Sequence, residues 1–232
     1  LMSSEQYVKA AVTNLEATLS KQDMRLPTSL VPMSVSYHLS EDVSPELNVQ
    51  GVQTYQELIG ILRWAIKIGR VDILLEVSLL SLHLALPRSG HLQAVYQIFR
   101  YLKHVPKRKL YFDPVSPTIS EDRFHKFEWE DFYRDAKEAI PLNAPRPRGK
   151  SMTTHCFVDA NHASDKVTRQ SQTGILIFCN RAPIMWFSKR QNSVVSSTFG
   201  SEFTALKQAV ELVKALRYKL QMFGVPIEGP TD

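Results

Sequence analysis

The fold is decided by the stretch THCFVDANHASD (Thr154–Asp165) and by three segments that follow it: GILIFCN (Gly174–Asn180), APIMWFSKRQ (Ala182–Gln191) and SSTFGSEFTALKQAVELVKALRYKLQMFG (Ser196–Gly224). The first three segments have the length and apolar content of strands, and polar residues separate them. They predict a three-stranded antiparallel meander. The fourth segment repeats apolar residues every three or four positions, which predicts a long amphipathic helix.

The first strand is predicted over Thr154–Asp159, with Cys156 and Val158 on one face and His155 and Phe157 on the other. The second strand is so apolar that we expect both of its faces to be covered. A proline at the start of the third strand is tolerated, because only strand interiors need the missing N–H.

The predicted helix carries an apolar stripe that we expect to face the sheet. We expect Thr198 or Ser201 to cap its start and Gly224 to end it. Glu202 then lies at or next to the positive end of the helix dipole. The stripe consists of Phe203, Leu206, Ala209, Val210, Val213, Leu216 or Arg217, and Leu220.

Two carboxylates mark the candidate site. Asp159 ends the first predicted strand, and Glu202 lies near the start of the helix, where its side chain is expected to lean over the sheet toward Asp159. Hydrolysis of a phosphodiester by two Mg²⁺ ions needs carboxylates that converge on metals roughly 3.5–4 Å apart. The alternative is that Asp159 is an ordinary turn residue and Glu202 an ordinary N-terminal helix charge.

The first half of the chain is predicted to be helical. Helices are expected over Ser3–Leu19, over Gln53–Leu86 with a break at Gly69, and after Gly90, whereas Lys21–Gln50 reads as a connection. The apolar stripes are Tyr7, Val8, Ala11, Val12, Leu15 and Leu19; Tyr55, Leu58, Ile59, Leu62, Ala65 and Ile66; Ile73, Leu74, Val77, Leu80, Leu84 and Leu86; and Leu92, Val95, Tyr96, Ile98, Phe99 and Leu102.

A basic cluster follows the last of these helices. The chain has 28 Lys and Arg against 23 Asp and Glu, a formal net charge of +5, so a polyanionic partner is one interpretation and a mildly basic soluble protein the other. Positively charged side chains of this kind bind phosphate groups without recognising the base sequence. A solvated helix end is the alternative for each residue. The candidates for nucleic-acid binding are Lys103, Lys107, Arg108 and Lys109.

Composition excludes several classes of protein. Cys156 and Cys179 lack metal-ligand spacing, and nothing indicates an oxidising compartment. We see no signal peptide and no membrane span, so a cytoplasmic or nuclear location is expected. His83 and His91 are interpreted as solvated or capping groups. Residues 113–150 are rich in proline and predict a linker, with one short helix around residues 130–139.

The ordered motifs FVDANHASD, RQSQTG and PIMWFSKRQNSVVSSTFGSEFTALKQAVELVKALRYKLQMFGVPIEGPTD resemble the ribonuclease H region of Ty1/copia-type LTR retrotransposon Pol polyproteins. The stretch YQELIGILRWAIKIGRVDILLEVSLLSLHLALPRSGHLQAVYQIFRYLKH resembles the segment that joins reverse transcriptase to ribonuclease H, and SSEQYVKAAVTNLEATL resembles the end of the polymerase domain. The resemblance therefore covers nearly the whole chain and is weakest in the linker.

The resemblance implies an α+β fold: a helical connection or thumb-like region followed by a truncated ribonuclease H-like domain, with a three-stranded antiparallel meander and a long helix. The implied divisions are residues 1–24 (end of the reverse-transcriptase palm), 25–52 (connection), 53–112 (helical thumb or connection), 113–150 (linker) and 151–232 (N-terminal half of the ribonuclease H-like domain).

The resemblance also implies roles for four residues. Asp159 and Glu202 would be the first and second metal-binding acids, with Mg²⁺ as the cofactor, and Lys189 and Gln191 would contact the nucleic-acid backbone. The family's third acid would lie just beyond Asp232, and the polymerase's paired aspartates would precede the chain, so we expect an incomplete site.

Two further positions depart from the family pattern. Asn161 stands where the family usually has a second Asp, and Phe199 where it often has Glu. Neither departure removes an acid assigned to the metals.

The expected partners are an RNA–DNA hybrid or other nucleic acid and the remainder of the Pol polyprotein, without a membrane. The parent protein would synthesise DNA on RNA and cleave RNA in hybrids, whereas this chain alone would be inactive. The alternatives are a degenerate, non-enzymatic remnant with weak nucleic-acid binding, and a structural helical protein with an unrelated α/β tail.

Overall fold

A computed structural model describes residues 1–115, 117 and 138–231. Within them a helical part precedes a mixed α/β part, as the sequence predicts. One-turn 3-10 helices lie at Leu39–Glu41, Val71–Ile73 and Ser81–His83. The α-helices and strands, in order, are β1 (Met2–Ser3), α1 (Glu5–Ser20), α2 (Val49–Lys67), α3 (Leu74–Leu80), α4 (Ser89–His104), β2 (Lys109–Leu110), β3 (Met152–Asn161), β4 (Gln172–Cys179), β5 (Ala182–Arg190), α5 (Thr198–Met222) and β6 (Ile227–Thr231).

Helices α1 to α4 share one hydrophobic core. All six residues of the stripe predicted in α2 are buried, which confirms that prediction. The second helix is shorter than predicted, because α3 ends at Leu80 and a 3-10 turn follows; Leu86 is 71% exposed. Predicted residues of the other stripes that are buried are Val8, Val12, Leu15, Leu19, Ile73, Val77, Leu80, Val95, Tyr96, Ile98, Phe99 and Leu102.

The connection between α1 and α2 packs on this core although its only helix is one turn long. Leu26 and Leu39 are buried in the same cluster. The carboxylate of Asp42 accepts hydrogen bonds from the Tyr37 hydroxyl and from the Ser44 N–H. It also presses on Gly90 in α4, where an added Cβ would lie 1.8 Å from Asp42 Oδ2. A side chain at this position would therefore force the Asp42 carboxylate to move.

A buried guanidinium fixes the end of α2. Arg70 is fully buried, donates Nε and Nη2 to the carboxylate of Asp72 at 2.9 Å each, and donates Nη1 to the Val105 carbonyl at 2.9 Å. The Tyr101 hydroxyl also donates to Asp72. Burial opposes ionisation of Asp72, but these hydrogen bonds and the Arg70 charge outweigh it and hold the pKa of Asp72 below its ordinary value.

The sheet has the strand order β5-β4-β3-β6. Strands β3, β4 and β5 form the predicted antiparallel meander, with a turn in which Asn180 has φ of 52°. Strand β6 pairs parallel with β3 and was not predicted, because Ile227–Thr231 contains Gly229 and Pro230 and lacks an alternating pattern. The sheet is thus mixed.

Helix α5 packs on the sheet through a face that only partly matches the predicted stripe, whose Ala209, Val213 and Leu216 do pack there. Its most deeply buried residues are Ser201, Ala205 and Ala209. Phe203 is 60% exposed and Leu206 49% exposed, so the predicted stripe is wrong in its first turns. Small side chains let the helix approach β3 and β4 closely, and this turns the neighbouring large residues outward.

The ends of α5 are only partly as predicted. The cap is Ser197, whose Oγ accepts from the Gly200 N–H at 3.1 Å, rather than Thr198 or Ser201. The predicted end at Gly224 is confirmed, since this residue has φ of 70° just after the helix.

The two parts meet where α2 and α3 contact the edge strand β5. Trp186 donates Nε1–H to the Ile66 carbonyl at 3.1 Å, and Ser78 donates its hydroxyl to the Ser188 carbonyl at 2.8 Å. Gln172 donates to Ser78 Oγ at 3.1 Å. These bonds tie the face of the sheet opposite α5 to the helical part.

The proposed domain limits stay predictions, although α1 and the connection share the core of the other helices. The helix predicted around residues 130–139 lies almost wholly outside the described residues. Among the helices that the structure describes, none combines the length and hydropathy needed to cross a membrane.

Candidate functional site

Asp159 lies inside β3, which runs two residues beyond the predicted end to Asn161. Neighbouring residues of a strand point to opposite faces. Val158 packs on the cluster under α5, so Asp159 lies on the face away from α5, as does Phe157. Asp159 is exposed and has no hydrogen-bond or ion-pair partner among the described residues.

Glu202 is the fifth residue of α5 and is half-buried. It follows the buried Ser201 and lies one turn before Leu206, which lines a cleft between α5 and β3 together with Val158. Glu202 therefore lies on the α5 side of the sheet. Within the part of the chain that the structure describes, its carboxylate also lacks a hydrogen-bonding partner.

The arrangement does not fit a magnesium site of the implied kind. Two-metal hydrolysis requires carboxylates that converge on a common point, whereas Asp159 and Glu202 lie on opposite faces of the sheet. No group of three or more His, Cys, Asp or Glu residues in the described ranges is arranged to hold a metal ion. The metal roles of Asp159 and Glu202 stay predictions.

The polar loop after β3 is organised by a third acid, Asp165. One oxygen of its carboxylate accepts from the N–H groups of Val167 and Thr168, both at 3.0 Å, and the other accepts from Arg190 Nη1 at 3.2 Å. Burial opposes ionisation, but these bonds prevail and lower the pKa of Asp165. Asp165 therefore fixes the loop to β5 instead of facing a metal site.

The two residues proposed to contact a nucleic-acid backbone differ in access. Gln191 is 1% exposed and donates Nε2–H to Thr173 Oγ1 at 3.1 Å and to the Ser201 carbonyl at 2.9 Å. It holds the end of β5 against α5, so its predicted role is not available in this arrangement. Lys189 is exposed on the same strand and can reach a ligand.

The residues of the basic cluster at the end of α4 also differ in their access to solvent. Lys103 donates to the Leu26 carbonyl at 2.7 Å and pairs with Glu16 at 2.6 Å, so it stabilises the fold. Arg108 lies 4.0 Å from Asp72 at its guanidinium Nε. Lys107 and Lys109 are exposed. The three residues Lys107 to Lys109 keep the predicted access to phosphates.

Sequence reasoning missed two further cations, Arg63 and Lys67. Both are exposed in α2 and lie one turn apart. They are close in sequence to Ile66, whose carbonyl accepts the hydrogen bond from Trp186. The signal that would have found them is their i,i+4 spacing outside the apolar stripe, which places them on one face of the helix. They lie at the junction between the helical part and the sheet.

The chain is similar to transposon proteins along most of its length. It is 23% identical over 176 residues to the retrovirus-related Pol polyprotein from transposon RE1 of Arabidopsis thaliana, which covers 76% of this chain and 10% of that protein. It is 26% identical over 213 residues to the putative transposon Ty5-1 protein of Saccharomyces cerevisiae (91% of this chain, 56% of that protein). It is 24% identical over 228 residues to the retrovirus-related Pol polyprotein from transposon TNT 1-94 of Nicotiana tabacum (97% and 14%).

The resemblance to Ty1/copia-type Pol polyproteins is thereby confirmed. The chain spans between a tenth and slightly over half of the length of these three relatives. No family model matches it, and neither does any solved structure.

Proposed function

We propose that the chain is a segment of a copia-type retrotransposon Pol polyprotein and corresponds to the end of the reverse transcriptase, the connection and the first part of the ribonuclease H region. Similarity to Pol polyproteins over most of the chain supports this assignment. The meander that carries Asp159, followed by the helix that carries Glu202, agrees with the order of motifs.

The parent activity in this proposal is RNA-directed DNA synthesis with Mg²⁺-dependent cleavage of RNA in RNA–DNA hybrids. The segment described here contributes nucleic-acid contacts rather than chemistry. The observation that carries this view is the placement of Asp159 and Glu202 on opposite faces of the sheet, while exposed cations lie on its edge and on α2. Hybrids are recognised through groove shape, backbone and 2′-hydroxyl groups.

A cleavage assay tests the proposal. The purified chain is incubated with an end-labelled RNA–DNA hybrid and Mg²⁺, and we expect binding by gel shift without cleavage. A matched pair of variants, Asp159→Asn and the loop variant Asp23→Asn, separates activity of the chain from a contaminating nuclease. Robust cleavage that Asp159→Asn abolishes and Asp23→Asn leaves intact would show that the carboxylates do assemble.

A second candidate is a non-enzymatic remnant that only binds nucleic acid weakly. The lack of a group of three or more potential metal ligands among the described residues favours it. A salt titration and substrate panel discriminate the two: a remnant binds duplex DNA and hybrid alike, with affinity that falls steeply with salt, whereas a ribonuclease H segment prefers the hybrid at constant salt.

A further inference from the structure

The junction between the helical part and the sheet contains a basic cleft of about 460 Å³. Its walls come from the neighbouring helices α2 and α3 and from β5, which begins more than a hundred residues after α3 ends. Four cations line it and no carboxylate does, within the part of the chain that the structure describes. The lining cations are Arg63, Lys67, Lys189 and Arg190.

Three of these cations are free to meet a ligand. Arg190 is held by Asp165 at 3.2 Å, but Arg63, Lys67 and Lys189 are exposed and have no ion-pair partner among the described residues. A concave surface lined by one sign of charge focuses the potential and raises the local concentration of counter-ions. The cleft therefore favours an anion over a neutral ligand.

The cleft has a rigid floor. Trp186 is fixed there by its hydrogen bond to the Ile66 carbonyl, and Ser78 by its bonds to β5 and Gln172. Arg63 and Lys67 lie on one face of α2, before and after Ile66 in the sequence, and Lys189 lines the cleft from β5. Charges spaced along a groove suit a chain of phosphates better than a single small anion.

The basic cluster near the end of α4 lies beside the segment that follows α2. An added Cβ at Gly69 would lie 3.2 Å from Leu110 Cδ1, and Asp72 lies 4.0 Å from Arg108. Lys107 and Lys109 are exposed, but they do not line the cleft. They are therefore further exposed cations of the helical part, outside the cleft.

We infer that the cleft formed by Arg63, Lys67 and Lys189 binds the phosphodiester backbone of a nucleic-acid strand across the junction of the helical part and the sheet. This inference rests on the proposed function, since it names where that nucleic acid is held. It places the binding site at the junction and not on the face of the sheet that carries Asp159.

Fluorescence anisotropy with a labelled single strand and a labelled RNA–DNA hybrid, measured across a salt series, tests the inference. The cleft variant is Arg63→Gln/Lys67→Gln/Lys189→Gln. The matched control, Lys207→Gln/Lys214→Gln/Lys219→Gln, removes the same charge from exposed positions of α5. All six residues are exposed, so both variants should fold, which circular dichroism checks.

We expect the cleft variant to lose roughly tenfold or more in affinity at low salt, and its log–log salt slope to fall by about 1 per lost phosphate contact. The control should change much less. Equal losses of affinity in both variants would contradict binding in the cleft but would still agree with nucleic-acid binding by the chain. Absence of binding by the unmodified chain would overturn the proposed function as well.

A competition arm separates a polynucleotide from a free phosphate group. Inorganic phosphate or ATP is added at matched ionic strength to the complex of the unmodified chain with the labelled strand. We expect little displacement by either, because each offers a single short anion. Full displacement at millimolar concentration would reassign the cleft to small phosphates and would contradict the inference.

Discussion

The helical part and the sheet differ in how they are stabilised. The helical core draws buried side chains from all four helices and from the connection, including Leu62, Phe99 and Ile98 with no exposed surface. Among the described residues, the core cluster between the sheet and α5 is built on three buried residues, Ile175, Ile177 and Ala209. Because hydrophobic stabilisation grows with the apolar area removed from water, the helical part is the scaffold and the sheet depends on it.

The polar groups follow the same division. In the helical part, buried Arg70 and half-buried Asp42 have their hydrogen-bonding partners in place. On the sheet, Asp159 is exposed and unpartnered among the described residues, and Lys189 is exposed on the edge strand. Groups that bind ligands must stay available, and exposed candidates lie on both parts: Asp159 and Lys189 on the sheet, and Arg63 and Lys67 on α2. Four experiments test this contrast.

The largest effect is expected from Arg70→Met. The substitution leaves the Asp72 carboxylate and the Val105 carbonyl without their main donor, and breaking such a pair costs roughly 3–5 kcal/mol of unfolding free energy. Urea unfolding followed by far-UV circular dichroism measures it, with exposed Arg25→Met as the control. A loss below about 1 kcal/mol would show that Arg108 takes over the ion pair and that the network is not a determinant of the scaffold.

Two glycines of the helical part should respond to alanine with opposite signs. Gly90→Ala places a Cβ against the Asp42 carboxylate and should cost about 1–3 kcal/mol, as overpacking does. Gly60→Ala meets no atom within 4 Å in the interior of α2, so it should add about 0.5–1 kcal/mol. Thermal unfolding of both variants gives the answer. Equal shifts would refute the close packing of the connection on α4.

A smaller effect, on the order of 1 kcal/mol, is expected from Trp186→Phe, which removes the hydrogen bond to the Ile66 carbonyl. If the sheet depends on the helical part, amide hydrogen exchange in β5 should quicken more than exchange in α4. Trp64→Phe, at a 57% exposed position, is the matched control. Unchanged exchange in β5 would make the two parts independent.

The smallest effect concerns pH. Burial and the neighbouring His91 ring lower the pKa of His83 to about 4. Arg190 lowers this pKa further, whereas the negative charges of Asp165 and Asp42 raise it. The unfolded chain therefore binds the proton first, near pH 6.5, and the stability due to the neutral ring is lost as pH falls from 6.5 toward 4. Solvent reduces the effect to about 1 kcal/mol or less.

Urea midpoints at pH 7 and pH 5 measure this dependence. His83→Gln should flatten it, and the exposed His104→Gln should leave it unchanged. An identical pH dependence in the His83→Gln variant would exclude that histidine as its source.

The helical part was largely predictable from sequence because its apolar periods are regular and one core absorbs them. The stripe of α2 is buried as predicted. For α5 the prediction was right for Ala209, Val213 and Leu216, which pack on the sheet. It was wrong for Phe203 and Leu206, because small Ser201 and Ala205 take the buried positions in the first turns. The number of apolar residues on a helix face does not show whether that face packs closely on the sheet or carries larger side chains that stay exposed.

The relation between the two acids was not predictable for a similar reason. The alternation of side chains along the first strand already places Asp159 on the same face as Phe157 and opposite Val158. Packing decides which of the two faces α5 covers. Strand β6 escaped notice because Gly229 and Pro230 interrupt its pattern, and its pairing depends on β3 and not on its own propensity.

The hydrogen bonds at the junction have a consequence for sequence divergence. Trp186 and Ser78 donate to the carbonyls of Ile66 and Ser188, which are main-chain atoms. A side-chain substitution at either acceptor position leaves its carbonyl in place. The junction between the two parts therefore tolerates side-chain substitutions at its acceptor positions. As mutations accumulate, its geometry would persist longer than the identity of the acceptor residues.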